Sequence, residues 1–336
     1  VKASRLLVAA LRDPASVVPL DTADWTALLT AARAERLLGT LAVRLDARTV
    51  PASVARILAD ARAGAAEERR AALWEAEMAR RALAPLGIPV VLLKGTAFVA
   101  AGLAAGQGRS IGDLDILVPR DALGAAEAAL RAAGWEWVKE NAYDDSYYRR
   151  WMHELPPLIH RERDRMIDVH HTILPPTARP TPDADALLAD AVPLGNGLSI
   201  LSHEDIVVHA AAHLFADGDL AGGLRNLWDI DRLVREFEHA DFWPRLRARA
   251  QRHQLLPAVS RALRLSRTLY GTPVPAGWGR SLADRLYVRR LLARDGWGRQ
   301  GHAFTRLGFF VRSHWLRMPP LMLARHLLIK ATRKPA

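Results

Sequence analysis

The chain has 336 residues, half of them hydrophobic, with a mean hydropathy of −0.03 and a net charge of +11. That length predicts two or three packed units; the absence of cysteine excludes disulfides, thiolate metal sites and a cysteine nucleophile, and no apolar run reaches the ~20 residues that cross a bilayer. The charge is uneven, because residues 241–336 hold 20 Lys and Arg against 3 Asp and Glu whereas residues 1–240 are net acidic.

Residues 4–86 are rich in Ala, Leu and Arg and read as an N-terminal helical region spanning 1–86. Its opening, VKASRLLVAALRDP, is broken by Arg12 and Asp13 too early for a signal peptide and reads as a helix. Asp21 or Thr22 is placed to cap the next helix, and a long helix is expected after Pro51. The pattern then changes. Ile88 to Leu93 is a short apolar run containing Val90 and Val91, the signature of a buried strand. Lys94, Gly95 and Thr96 close it, an Ala-rich helix follows, and Asp113 to Val118 forms a second strand stopped by Pro119. Residues 121–133 predict a helix with Gly134 at its C-terminal end. Three further strands are expected at 135–139, 155–161 and 166–171. This order over 87–175 predicts an α+β unit, a small mixed sheet with helices around it.

The proline-rich stretch 175–185 reads as a linker. Beyond it, residues 176–336 predict a C-terminal helical domain with a basic tail. It opens at Ser202 as N-cap, with Glu204 and Asp205 in the first turn. Helices are expected through 224–238, 241–269 and 281–297, with Trp228, Trp243, Trp278, Trp297 and Trp315 in cores or interfaces.

The chemistry gathers on three carboxylates. Asp113 and Asp115 are two residues apart on a predicted strand, so they share a face. Side by side they repel unless a divalent cation neutralises them. Asp168 sits between Ile167 and Val169 on another strand, and a carboxylate among buried neighbours needs a partner; a salt bridge with Arg163 or Arg165 is the plainer way to supply one. Oxygen-only ligands favour Mg²⁺ or Mn²⁺, and two such ions can clamp the attacking and leaving oxygens of a phosphoryl displacement. Gly95 and Thr96, at a strand-to-helix turn, offer close backbone approach and a hydroxyl to a phosphate, with Lys94 and Arg109 as cations for a triphosphate. His209 and His213 lie four apart on one helix face and with Asp229 or Asp231 make a zinc site or, more plainly, line a substrate pocket. His170 shares parity with Asp168 and is a candidate for substrate contact.

Together these residues resemble the nucleotidyltransferase superfamily that includes DNA polymerase beta. More closely, LLKGTAF, the Arg, GDLDILVP and IDVHHTI, followed by SHEDIVVHAAAHLF and LRNLWDIDRLV, resemble the bacterial uncharacterised nucleotidyltransferase family over roughly residues 85–240. The resemblance implies metal-dependent transfer of a nucleoside monophosphate from an NTP to an acceptor. Asp113, Asp115 and Asp168 would be catalytic and metal-binding, Lys94, Gly95, Thr96 and Arg109 would bind the nucleotide, and His170, His209, His213 and Asp229 would line the pocket. Two alternatives stand beside it: the same fold acting on tRNA or a protein acceptor, and a non-catalytic nucleotide-binding or scaffold protein. The basic region 241–336 suits an anionic partner, RNA or a membrane surface, or is a solvated Arg-rich surface. A cytoplasmic location, with a membrane-peripheral tail as a variant, is expected.

Overall fold

A computed structural model describes residues 1–139, 142–216 and 218–317. The N-terminal region is helical, as α1 (Lys2–Arg12), α2 (Thr22–Ala34), α3 (Leu38–Arg44) and α4 (Ala52–Leu83). Asp21 is the cap of α2, its carboxylate accepting from the Asp24 amide at 2.8 Å. With 32 residues, α4 runs about 48 Å and braces the sheet beside it.

The central sheet has seven strands: β1 (Val91–Leu92), β2 (Leu114–Leu117), β3 (Trp135–Trp137), β4 (Leu158–His160), β5 (Met166–His170), β6 (Val192–Pro193) and β7 (Ser199–Ile200). They lie in the order β3-β4-β5-β2-β1-β7-β6. The β2–β5 and β1–β7 pairs are parallel, and the other pairs are antiparallel. All of β2 is buried, which fits its unbroken apolar character apart from Asp115. Between the strands lie α5 (Lys94–Ala100), α6 (Leu123–Ala132), α7 (Ala142–Trp151) and α8 (Ala184–Ala189). Gly134 follows α6 at φ +104°, where a Cβ would lie 2.8 Å from His160 Nε2. The fold is thus α+β, with helices around a small mixed sheet.

Two features were not expected. The sheet continues past the proline-rich stretch through β6 and β7, each of two residues and too short to show a period. The helix α7 forms from the polar, tyrosine-rich sequence before β4.

The remaining helices are α9 (His203–Ala216), α10 (Gly223–Phe237), α11 (Phe242–Arg252), α12 (Leu256–Tyr270), α13 (Asp284–Leu291) and α14 (Ala303–Arg317). The stretch expected as one helix over 241–269 breaks at Gln254, whose φ of +57° reverses the chain before Pro257 restarts it. One hydrophobic core runs from Leu7 in α1 through Ile116 in β2 to Phe309 in α14. Trp228 and Trp278 belong to it, but Trp297 and Trp315 are exposed, so their placement in a core is corrected. The Trp297 loop is a surface turn pinned by Asp295, and α14 buries Phe309 while leaving Phe304 and Val311 in solvent. Among the described residues no helix is long and apolar enough to cross a membrane. Residues 318–336 of the basic region lie outside the described residues.

Arginines of the last third fold back on acids upstream. Arg294 pairs with Glu35, Arg290 with Asp219 at 2.9 Å, and Arg245 with Glu204 at 2.9 Å. The densest knot is Asp205, fully buried at the start of α9. It accepts from Ser202 Oγ at 2.8 Å and Arg249 Nε at 2.8 Å, and His253 Nε2 lies 3.1 Å away. Burial opposes its charge, yet the bonds from His253 and Arg249 outweigh that and hold its carboxyl below the usual carboxylate range. Asp205→Ala would leave Arg249 and His253 without their shared acceptor, and an expected loss of about 3–5 kcal/mol is measurable by urea unfolding.

Candidate active site

In the parallel β2–β5 pair, Asp115 stands directly opposite Asp168, and Asp113 immediately precedes β2. One carboxylate oxygen from each of the three lies within 4.8 Å of the others. Like charges on neighbouring strands destabilise a sheet, so the structure supplies counter-charge. Lys94 Nζ donates to Asp115 Oδ1 at 2.5 Å. Lys94 reaches it from the start of α5 with a backbone φ of +49°, a left-handed conformation unusual for a residue with a side chain. His170 Nε2 lies 3.0 Å from the same oxygen; an ionised carboxylate only accepts, so this nitrogen carries the proton.

The two opposed aspartates differ in electrostatics. Burial works against ionisation of Asp115, but Lys94 and His170 outweigh it and hold its carboxyl below the usual range. For Asp168 the balance falls the other way. Burial, with the charges of Asp115 and Glu154, pushes its pKa up to about 7. Its Oδ1 is buried without a hydrogen-bond partner. The plainer expectation, a salt bridge from Arg163, is not what forms: Arg163 binds Glu75 of α4 at 2.6 Å and 3.0 Å. Glu68, also on α4, accepts from the Ile111 amide at 3.0 Å. The long helix thus fixes both the approach to Asp113 and the turn before Asp168. Three converging oxygens, one of them an orphan, fit a hard divalent cation.

Asp113 and Asp115 border a cavity of about 750 Å³, while Asp168 lines a smaller one that Lys94 also borders. Lys94, Gly95, Arg109, Asp113 and Asp115 line the larger cavity from the core, and His209, His213 and Asp229 from α9 and α10. The N-terminal region contributes Glu35 and Arg36. Arg109 crosses the face of α5 so closely that a Cβ on residue 95 would lie 2.6 Å from its Nε, which is why a glycine stands there. Its guanidinium ion-pairs with Asp229, and Arg225 shares that carboxylate at 3.3 Å. Two cations therefore meet one anion beside the cavity. Burial draws the Arg225 pKa down to about 10, which still leaves it charged at neutral pH. Thr96 is set apart from this group. Successive helix residues turn by about 100°, and with Lys94 and Gly95 facing the cavity, Thr96 is 1% exposed in the core with its Oγ1 unbonded.

His209 and His213 line the cavity but do not join an aspartate to form a candidate metal group among the described residues. Asp229 is held by the two arginines, and Asp231 is fully buried against Arg232, Arg235 and Thr272. Burial, with Lys94 and His213 nearby, pushes the His209 pKa well below its ordinary value, so its ring is neutral. Sequence reasoning missed Arg225, Glu35, His153 and Glu154. The last two lie in an irregular segment after α7, where no periodicity signals which way a side chain points.

The charge on Asp168 is unfavourable in the metal-free fold, and the sign follows from its raised pKa. Between about pH 4, the unfolded value, and pH 7, the folded state binds the extra proton, so stability falls as pH rises through that window. Asp168→Asn is therefore expected to be more stable than wild type in chelator at pH 8, by roughly 1–3 kcal/mol. The gap should close toward pH 4, and Mg²⁺ should raise the melting temperature of wild type only. Thermal melts with and without chelator check this.

Comparison with curated proteins found no match, and comparison with solved structures found none. A family model described as uncharacterised nucleotidyltransferase matches residues 21–271, a span that takes in the acidic trio, Lys94, Arg109 and both cavity-lining helices. The chain belongs to the uncharacterised nucleotidyltransferase family.

Proposed function

We propose that the protein transfers a nucleoside monophosphate from an NTP to an acceptor hydroxyl or phosphate, with Asp113, Asp115 and Asp168 holding Mg²⁺ or Mn²⁺. The observation that carries this reading is the convergence of three carboxylates, Asp168 with an unbonded buried oxygen and Asp113 and Asp115 at the edge of a cavity lined by Lys94 and Arg109. A nucleotide with its triphosphate needs a pocket in the range of roughly 300–1,000 Å³, and this cavity of about 750 Å³ falls within it.

When bound, the divalent ion supplies charge neutralisation at the reacting phosphate and orients the displaced group. The chain's own residues do the rest. Asp115 is kept ionised by Lys94 and His170, so one ligand is permanently ready. Asp113 is exposed and meets the incoming nucleotide without rearrangement of the core. Arg109 and Arg225 share Asp229, and the positive charge left over favours a triphosphate beside Gly95. Asp168, with a proton affinity near neutrality, suits the proton of an acceptor hydroxyl. His209, whose ring is neutral, and His213 line the opposite wall and offer hydrogen-bonding groups to the nucleotide.

The test is incubation of the protein with each NTP radiolabelled at its α-phosphate, Mg²⁺ and cell extract. Label is expected in a small molecule, RNA or protein from wild type. Asp113→Asn/Asp115→Asn should lower it by at least about 100-fold. Arg109→Ala should raise the KM for NTP about tenfold through a lost charge contact. Equal labelling by the double variant would contradict the reading.

A further inference from the structure

We infer that His153, Glu154 and His170 form a second cation site, adjoining the three aspartates and suited to Zn²⁺ or a similar transition ion. One donor atom from each lies within 4.8 Å of the others. Glu154 Oε2 is 3.4 Å from His170 Nδ1 and 3.5 Å from His153 Nε2. Ligands at the Zn–N and Zn–O lengths of about 2.0–2.2 Å, tetrahedrally arranged, are separated by roughly 3.3–3.6 Å. The spacing is that of ligands around an ion not much larger than Zn²⁺.

The hydrogen-bond pattern points the same way. His170 is 1% exposed, and its Nδ1 makes no hydrogen bond. Its Nε2 is taken up by Asp115 at 3.0 Å, so Nδ1 is the ring nitrogen that faces Glu154. A histidine that donates one ring nitrogen to a carboxylate and offers the other to an ion is the usual way proteins orient a metal ligand. His153 Nδ1 is also buried and unbonded. Backbone pairing holds the donors in place. Glu154 bridges His170 antiparallel, the Leu155 amide donates to the Val169 carbonyl at 2.9 Å, and the His171 amide donates to the His153 carbonyl at 2.9 Å. The three residues line a cavity of about 200 Å³ with Asp168 and His209, which leaves room for a fourth ligand. Two imidazoles and one carboxylate select a borderline ion, whereas the all-oxygen trio selects a hard one.

The test is Zn²⁺ binding to the full-length, chelator-stripped protein in excess Mg²⁺, followed by calorimetry and by metal analysis after gel filtration. Wild type is expected to bind one equivalent, as are Asp113→Ala and Asp168→Asn. His153→Ala and Glu154→Gln should each weaken binding by at least about tenfold, with unchanged circular dichroism showing that both remain folded. Unchanged affinity in both of these folded variants would overturn the proposal. So would loss of Zn²⁺ in the aspartate variants alone, which would assign the ion to the trio.

Discussion

Two carboxylates face each other across neighbouring parallel strands, and the surrounding structure is organised by that repulsion. Asp115 and Asp168 occupy matched positions in β2 and β5, an interior pair of a seven-stranded sheet. No sheet places like charges there for stability. Lys94 answers one of them from a strained backbone position at the start of α5, and His170 answers the same one from β5 itself. The other has a carboxylate oxygen buried without a hydrogen-bond partner. One carboxylate is satisfied internally and its neighbour is not, within an acidic cluster of a size that can hold a metal ion.

The rest of the fold serves this arrangement at a distance. Through Glu68 and Glu75, α4 ties down the segment before Asp113 and the turn before Asp168. The opposite wall of the cavity comes from α9 and α10, and these are anchored by buried charge. Asp205 gathers Ser202, Arg249 and His253, while Arg225 reaches the Arg36 carbonyl and Thr40 of the N-terminal helices. The strongly basic last third is thus in part an internal structural device, since its arginines hold acidic groups of the first two thirds. The cavity belongs to all three regions of the chain, and its lining depends on these long-range ion pairs.

Much of this was legible in the sequence, for identifiable reasons. The trio could be read because strand periodicity puts residues 113 and 115 on one face and because an Asp between Ile167 and Val169 is out of character for a buried strand. The helical ends could be read from composition and from caps such as Asp21 and Ser202, which the structure uses. Other features depend on three-dimensional proximity alone. Gly95 suggests an open approach for a phosphate, but its missing Cβ also makes way for Arg109. Thr96 looked like a ligand-facing hydroxyl until helix geometry turned it into the core. Strands β6 and β7 are too short to carry a period, and Glu154 meets His170 only because an irregular segment returns alongside β5. Trp297 shows the opposite error, where a large apolar residue read as core or interface lies on the surface, and Trp315 packs on Arg179 rather than in a core.

Convergence of the three aspartates on one ion is tested most directly by anomalous diffraction from crystals soaked in Mn²⁺. The expected result is a manganese peak coordinated by Asp113, Asp115 and Asp168, with Lys94 displaced from Asp115 or shifted to accommodate it. Density showing the Lys94–Asp115 bond intact and no manganese between the three carboxylates would contradict the assignment.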